Sequence, residues 1–134
     1  MKKIIHVILI VLANTALADN PNMASEWAKA NSECAGFYFA VQSIVKPDAR
    51  PEYWKKYVIH LSFAEALQKD PASNNQQLNA DITAQSDLLN QATTGNAKID
   101  FFKKGMLGCN NVESHTPLVI KEHGLQTSSQ PIRP

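Results

Sequence analysis

Glycine is scarce in this chain, five among 134 residues, and the five are scattered at Gly36, Gly95, Gly105, Gly108 and Gly124. That scatter excludes a glycine-rich phosphate loop and a dinucleotide fingerprint, both of which need glycines grouped where backbone N–H groups cradle a phosphate. Only two cysteines occur, Cys34 and Cys109. Their distance in sequence excludes a Cys-x-x-Cys redox pair and a Cys-x-x-Cys-His haem attachment, and two cysteines are too few for a structural zinc knuckle. The motifs Gly-x-Ser-x-Gly and His-Glu-x-x-His are missing as well, so neither a nucleophile elbow nor a helical metalloprotease pair is written in the chain. Thirteen basic and twelve acidic residues are interspersed. Without a basic stripe there is no electrostatic footprint for nucleic acid.

The first eighteen residues carry a clear pattern. Lys2 and Lys3 precede an apolar core over residues 4–13, and Ala16-Leu17-Ala18 follows. This is the layout of a bacterial-type secretory signal with an Ala-x-Ala cleavage site, and its apolar run is too short to anchor in a bilayer. The expectation is a cleaved signal peptide at 1–18 and a periplasmic or secreted protein with no membrane anchor afterwards. Loss of Lys2 and Lys3 leaves eleven basic against twelve acidic residues, a net charge of −1. An exported chain with two cysteines implies a disulfide, Cys34 to Cys109. Closing so long a loop is worth roughly 4 kcal/mol in the chain-entropy picture.

The remainder reads as helical. Trp27, Ala30, Cys34, Phe37, Val41 and Ile44 recur at spacings of three and four, the seam of a helix packed lengthwise on others. Ile99, Phe102, Met106 and Cys109 repeat the spacing. Laid antiparallel with the cysteines opposed, Phe37 faces Met106, Val41 faces Phe102 and Ile44 faces Ile99. Prolines and caps then divide the chain. A first helix is expected over 22–45, with Pro47 and Pro51 breaking and restarting the chain, and a second to about residue 69. A third opens with a capping box at Ser73 and closes at Gly95. A fourth runs from Asn96 to about 110, and a short fifth over 117–123 starts with Thr116 as cap and Pro117 at the first position. The third is the most polar and is expected to pack through a narrow stripe of Leu78, Ile82, Leu88, Leu89 and Ala92. The fold expected is therefore all-α: a small antiparallel four-helix bundle with a short C-terminal fifth helix, stapled by one disulfide between helices one and four. It forms a single domain over 19–125, and the polar, proline-bearing tail 126–134 is expected to be disordered. Segment 112–125 is expected to fold back over Trp27.

Few residues invite chemistry. His60 lies at the edge of the second helix's apolar face, where a hydrogen-bonded core histidine is the simpler reading than a catalytic base. His115 and His123, near Glu113 and Glu122, lack the i, i+4 geometry of a helical metal pair, so no metal and no cofactor is expected. Gly105 and Gly108 inside a helix each cost about 1 kcal/mol relative to alanine. Close packing around the staple, with Gly36 beside Met106 and Leu107, explains them, and a hinge or docking groove is the functional alternative. Phe39 points away from the seam. With Ile59 and Phe63 it forms the candidate partner surface, to be covered either by the monomer or by another protein. The function expected is a binding or interaction module such as an inhibitor, an immunity-type protein, a stress chaperone or an accessory subunit, with another protein as partner. The alternatives are an enzyme whose site is assembled in three dimensions from residues such as His60, Glu65 or Asp81, and a small-ligand carrier.

Overall fold

The computed structural model describes residues 22–68 and 70–122. The signal segment 1–18, the tail 126–134 and His123 lie outside the described residues. Among the described residues all regular structure is helical: α1 Met23–Val41, α2 Arg50–Leu67, α3 Pro71–Gln91 and α4 Gly95–Glu122. None of these helices is long and apolar enough to cross a membrane.

Local chemistry sets the boundaries. Beyond Val41 the chain leaves the helix through turns, with Ser43 Oγ donating to the Ala40 carbonyl at 2.8 Å. Pro47 disfavours helical geometry at Lys46, so α1 ends earlier than its apolar seam suggests. The expected capping box at Ser73 is corrected by three residues. Asp70 caps α3, accepting from the Ala72 N–H at 3.1 Å, and Pro71 takes the first turn. Ser73 Oγ also donates to Asp70 at 2.6 Å. These two donors, the hydroxyl first, hold the Asp70 carboxyl below its ordinary range. Thr94 caps α4 by accepting from the Ala97 N–H at 3.1 Å.

The separate fifth helix is corrected outright, because α4 continues through Pro117 to Glu122. An interior proline typically costs about 3 kcal/mol, so tertiary packing has to outweigh the break. It does so through one stripe: Cys109, Val112, Thr116, Val119 and Ile120 recur at helical spacing and are all buried. Thr116 is not an N-cap. Its hydroxyl turns inward and donates to the Val112 carbonyl one turn back, at 2.7 Å. Trp27 is therefore covered by the continuation of α4, with the His115 ring 6.4 Å away, and not by a segment folding back.

α1 lies at the centre, packed by α2, α3 and α4 and buried on nearly every side. The Cys34–Cys109 disulfide joins α1 to α4 with Cα atoms 5.5 Å apart. The N-terminal half of α1 meets the C-terminal part of α4, Trp27 with His115 and Asn31 with Thr116, whereas farther along α1 Phe37 lies over Gly105 and against the Phe101 and Phe102 rings. The outermost expected rung does not close. Ile44 falls beyond the end of α1, and both it and Ile99 are about half exposed. The partner of Gly36 is also different from the one expected. A Cβ there would meet the Asp81 carbonyl carbon at 2.7 Å and the Ile82 nitrogen at 2.9 Å. Gly36 thus brings the backbone of α1 onto that of α3, while it is Gly105 that makes room for Phe37.

Candidate functional site

Inside the triangle of α1, α2 and α4 lies a run of buried polar side chains. Asn31, His60 and Thr116 are wholly buried. Asn31 Nδ2 donates to the Trp27 carbonyl and to Thr116 Oγ1, both at 2.9 Å. His60 Nδ1 is 2.8 Å from Asn31 Oδ1. Two backbone carbonyls fix every direction in this run, since a carbonyl only accepts. The Trp27 carbonyl forces the Asn31 amide nitrogen toward it, which leaves Oδ1 facing the imidazole. His60 Nδ1 must then carry the proton and Nε2 the lone pair.

That Nε2 has no hydrogen-bond partner and sits 3.9 Å from Glu113 Oε2. The approach is too long for a hydrogen bond, and it is not an ion pair at neutral pH. Burial pushes the His60 pKa from 6.5 down to about 4; the Glu113 charge opposes the shift and Lys56 adds to it. Glu113 instead pairs with Lys56 Nζ at 2.6 Å near the surface. Tyr38 stacks on the His60 ring, centroids 5.5 Å apart and planes 20° apart. Its buried hydroxyl is unpartnered, and its pKa is raised by burial first and then by Glu113 and Tyr53. The His60 ring is sealed from solvent, and the cluster couples three helices.

The three residues of the enzyme alternative are not brought together. His60 is in this core, Glu65 lines a small polar depression with Gln68 and Asn74, and Asp81 lines a groove between α3 and α4. Glu113 and His115 also part. Glu113 turns to Lys56, and the exposed His115 donates from Nδ1 to the Asn111 carbonyl at 2.8 Å. Among the described residues no three His, Cys, Asp or Glu side chains are placed to hold a metal ion.

The candidate partner surface is split. Phe39 is 42 % exposed and its ring lies 5.7 Å from Tyr57, which in turn lies 4.9 Å from the 48 % exposed Trp54. Ile59 and Phe63 are half-buried, and Phe63 packs on the core. Two residues along a helix turn the side chain by about 200°, so Ile59 and Phe63 leave α2 on the flank away from Tyr57. The continuous exposed apolar edge is therefore Phe39–Tyr57–Trp54. A signal was present, since Trp54 and Tyr57 stand three apart and so share an edge of α2.

The groove between α3 and α4 has a volume of about 480 Å³ and is floored by Phe37. No family model matches this chain, and no curated protein or solved structure is significantly similar to it.

Proposed function

We propose that the protein is an exported binding module that engages another protein through the Phe39–Tyr57–Trp54 edge. The observation that carries this reading is the edge itself: a row of three aromatic rings with Tyr57 against both of the others, the outer two almost half exposed. Large aromatics held at the surface by neighbours in a rigid element are the commonest anchors of protein interfaces. The surrounding architecture, read as an antiparallel four-helix bundle, holds them on α1 and α2, which the Asn31–His60 hydrogen bond ties together. A disulfide fits an oxidising compartment, which supports removal of segment 1–18 and residence in the bacterial periplasm or outside the cell. An inhibitor, an immunity-type protein, a stress chaperone and an accessory subunit all share this mode of action.

The enzyme alternative has weaker support, since its candidate acid–base groups lie in three separate places and His60 is closed to solvent. The test is site-specific photocrosslinking in periplasmic extract, with the crosslinker placed at position 54 and, as control, at the exposed Leu107 on α4. A discrete protein adduct is expected at 54 and not at 107. Equal or absent labelling at the two positions would refute the assignment of the edge. Phe39→Ala, at the other end of the edge, should weaken the adduct formed from position 54 while moving the melting temperature by no more than a few degrees.

A further inference from the structure

Two glycines interrupt α4 one turn apart, and the fold accounts for only one of them. A Cβ on Gly105 would run into the Phe37 ring, so that glycine is required by packing. A Cβ on Gly108 would meet nothing within 4 Å. In a helix interior, glycine in place of alanine costs about 1 kcal/mol, and here no contact in the fold offsets that cost. What Gly108 does is keep open the groove between α3 and α4, which it lines together with Phe37, Leu88, Asp81 and Phe101. The groove arises because α3 is held tightly to α1 at Gly36, whereas α4 is only half-buried at Phe101 and Phe102 and has its first fully buried residue at Cys109. Its volume of about 480 Å³ suits a small organic molecule, for which sites of about 300–1,000 Å³ are usual.

The charges around this apolar floor are unbalanced. Asp81 and Asp100 line it against a single Lys104, while Glu33, also in the lining, pairs with Lys29 at 4.0 Å. Asp81 is only 8 % exposed, and both its carboxylate oxygens are met by one neutral group, Gln77 Nε2, at 3.1 and 3.0 Å. A carboxylate taken out of water without a cation is costly, and the face of an aromatic ring also attracts positive charge. From this complementarity we infer that the groove is a binding site for a small organic ammonium cation with an apolar body. The body lies over Phe37, Phe101 and Leu88, in the space left by Gly108, and the ammonium faces Asp81. The site is separate from the Phe39–Tyr57–Trp54 edge and stands whether or not that edge binds a protein.

Three probes with one apolar body isolate the charge: octylammonium, octanol and octanoate, each titrated calorimetrically into the full oxidised chain at low salt and below its aggregation threshold. Octylammonium should bind at least tenfold more tightly than octanoate, with octanol between them. Asp81→Asn should reduce octylammonium to the affinity of octanol and leave octanol unchanged. Should Asp81→Asn fail to fold, the rim variant Asp100→Asn should still weaken octylammonium selectively, by two- to threefold. Gly108→Leu fills the groove where the fold has free space, so it should weaken octylammonium and octanol by tenfold or more without lowering the melting temperature. Octanoate binding as tightly as octylammonium, no saturable binding of octylammonium, or full binding by Gly108→Leu would each overturn the assignment.

Discussion

On the flank of α1 that faces α2 and α4, Asn31 reaches His60 and Thr116 through hydrogen bonds whose directions are all determined. On the flank that faces α3, Gly36 lets two backbones touch, and the approach is set by the missing side chain. The first flank is specified by chemistry and the second by volume. A directional cluster tolerates no loss of a partner, because each group left behind is buried and unpaired. A backbone contact tolerates no gain of an atom, because helix backbones have no rotamers with which to yield. The difference also explains why a groove opens beside the second flank: α3 is pinned at one close crossing while α4 is pinned by the disulfide and by the stripe that follows it.

The two flanks can be broken separately, and the largest effect belongs to the close crossing. Gly36→Val places a branched side chain against the backbone of Asp81 and Ile82. It should cost more than about 3 kcal/mol, at or beyond the upper end for overpacking. Thermal or urea denaturation of the oxidised protein measures it, and a loss below 1 kcal/mol would mean that α3 can simply step away.

The polar flank should respond next. Asn31→Ala leaves the His60 Nδ1–H and the Thr116 hydroxyl without their shared partner and should cost about 2–3 kcal/mol. Combining Asn31→Leu with His60→Leu removes both ends of the pair, and the double variant should be less destabilised than the two single changes added together. Strict additivity in that double-mutant cycle would show that the hydrogen bond does not couple the helices.

The smallest effect is the pH dependence of the same flank. His60 takes up a proton near pH 6.5 when unfolded but only near pH 4 when folded. Between those values the unfolded chain holds the extra proton, so stability is lost as pH falls through 6.5 and the loss is complete near 4. From pH 7 to 5.5 the decrease should be about 1 kcal/mol. Urea midpoints across that range report it. The slope should be absent in a folded His60→Leu variant, whereas the same slope in that variant would assign the effect to another group.

Much of this architecture is legible along the chain, because the signals that define it are local. The seam through Trp27, Cys34, Phe37 and Val41 is periodic, and all four are buried. The pairing of Cys34 with Cys109 follows from their number and the export pattern, and the disulfide is present. Pro51 marks the start of α2, whereas Pro71, which opens α3, lies ahead of the start expected at Ser73. Pro117 misleads for a physical reason: the local cost of a proline is fixed, whereas the burial of Val119 and Ile120 that outweighs it depends on α1 being there. The polar cluster was hardest to see. Asn31 stands four residues after Trp27 and three before Cys34, a core position occupied by an amide, and that irregularity was its one trace. Its partners come from three helices and share no spacing. The partner of Gly36 was hidden likewise, since a glycine records that something comes close but not from which side.

The disulfide also decides how the molecule carries load. Cys34 and Cys109 close a covalent ring that contains all of α2 and α3. Tension applied at Asn22 and Glu122 runs up α1 as far as Cys34, crosses the sulfur bridge and leaves along α4, so the enclosed helices lie outside the line of force. Only the two short arms beyond the cysteines can be drawn out, and with them the Trp27 contact and the Asn31–Thr116 hydrogen bond. A cut in the turn between α1 and α2 likewise releases no fragment, because both pieces remain tied at the ring. In its oxidised form the chain is, mechanically, a closed loop with two handles.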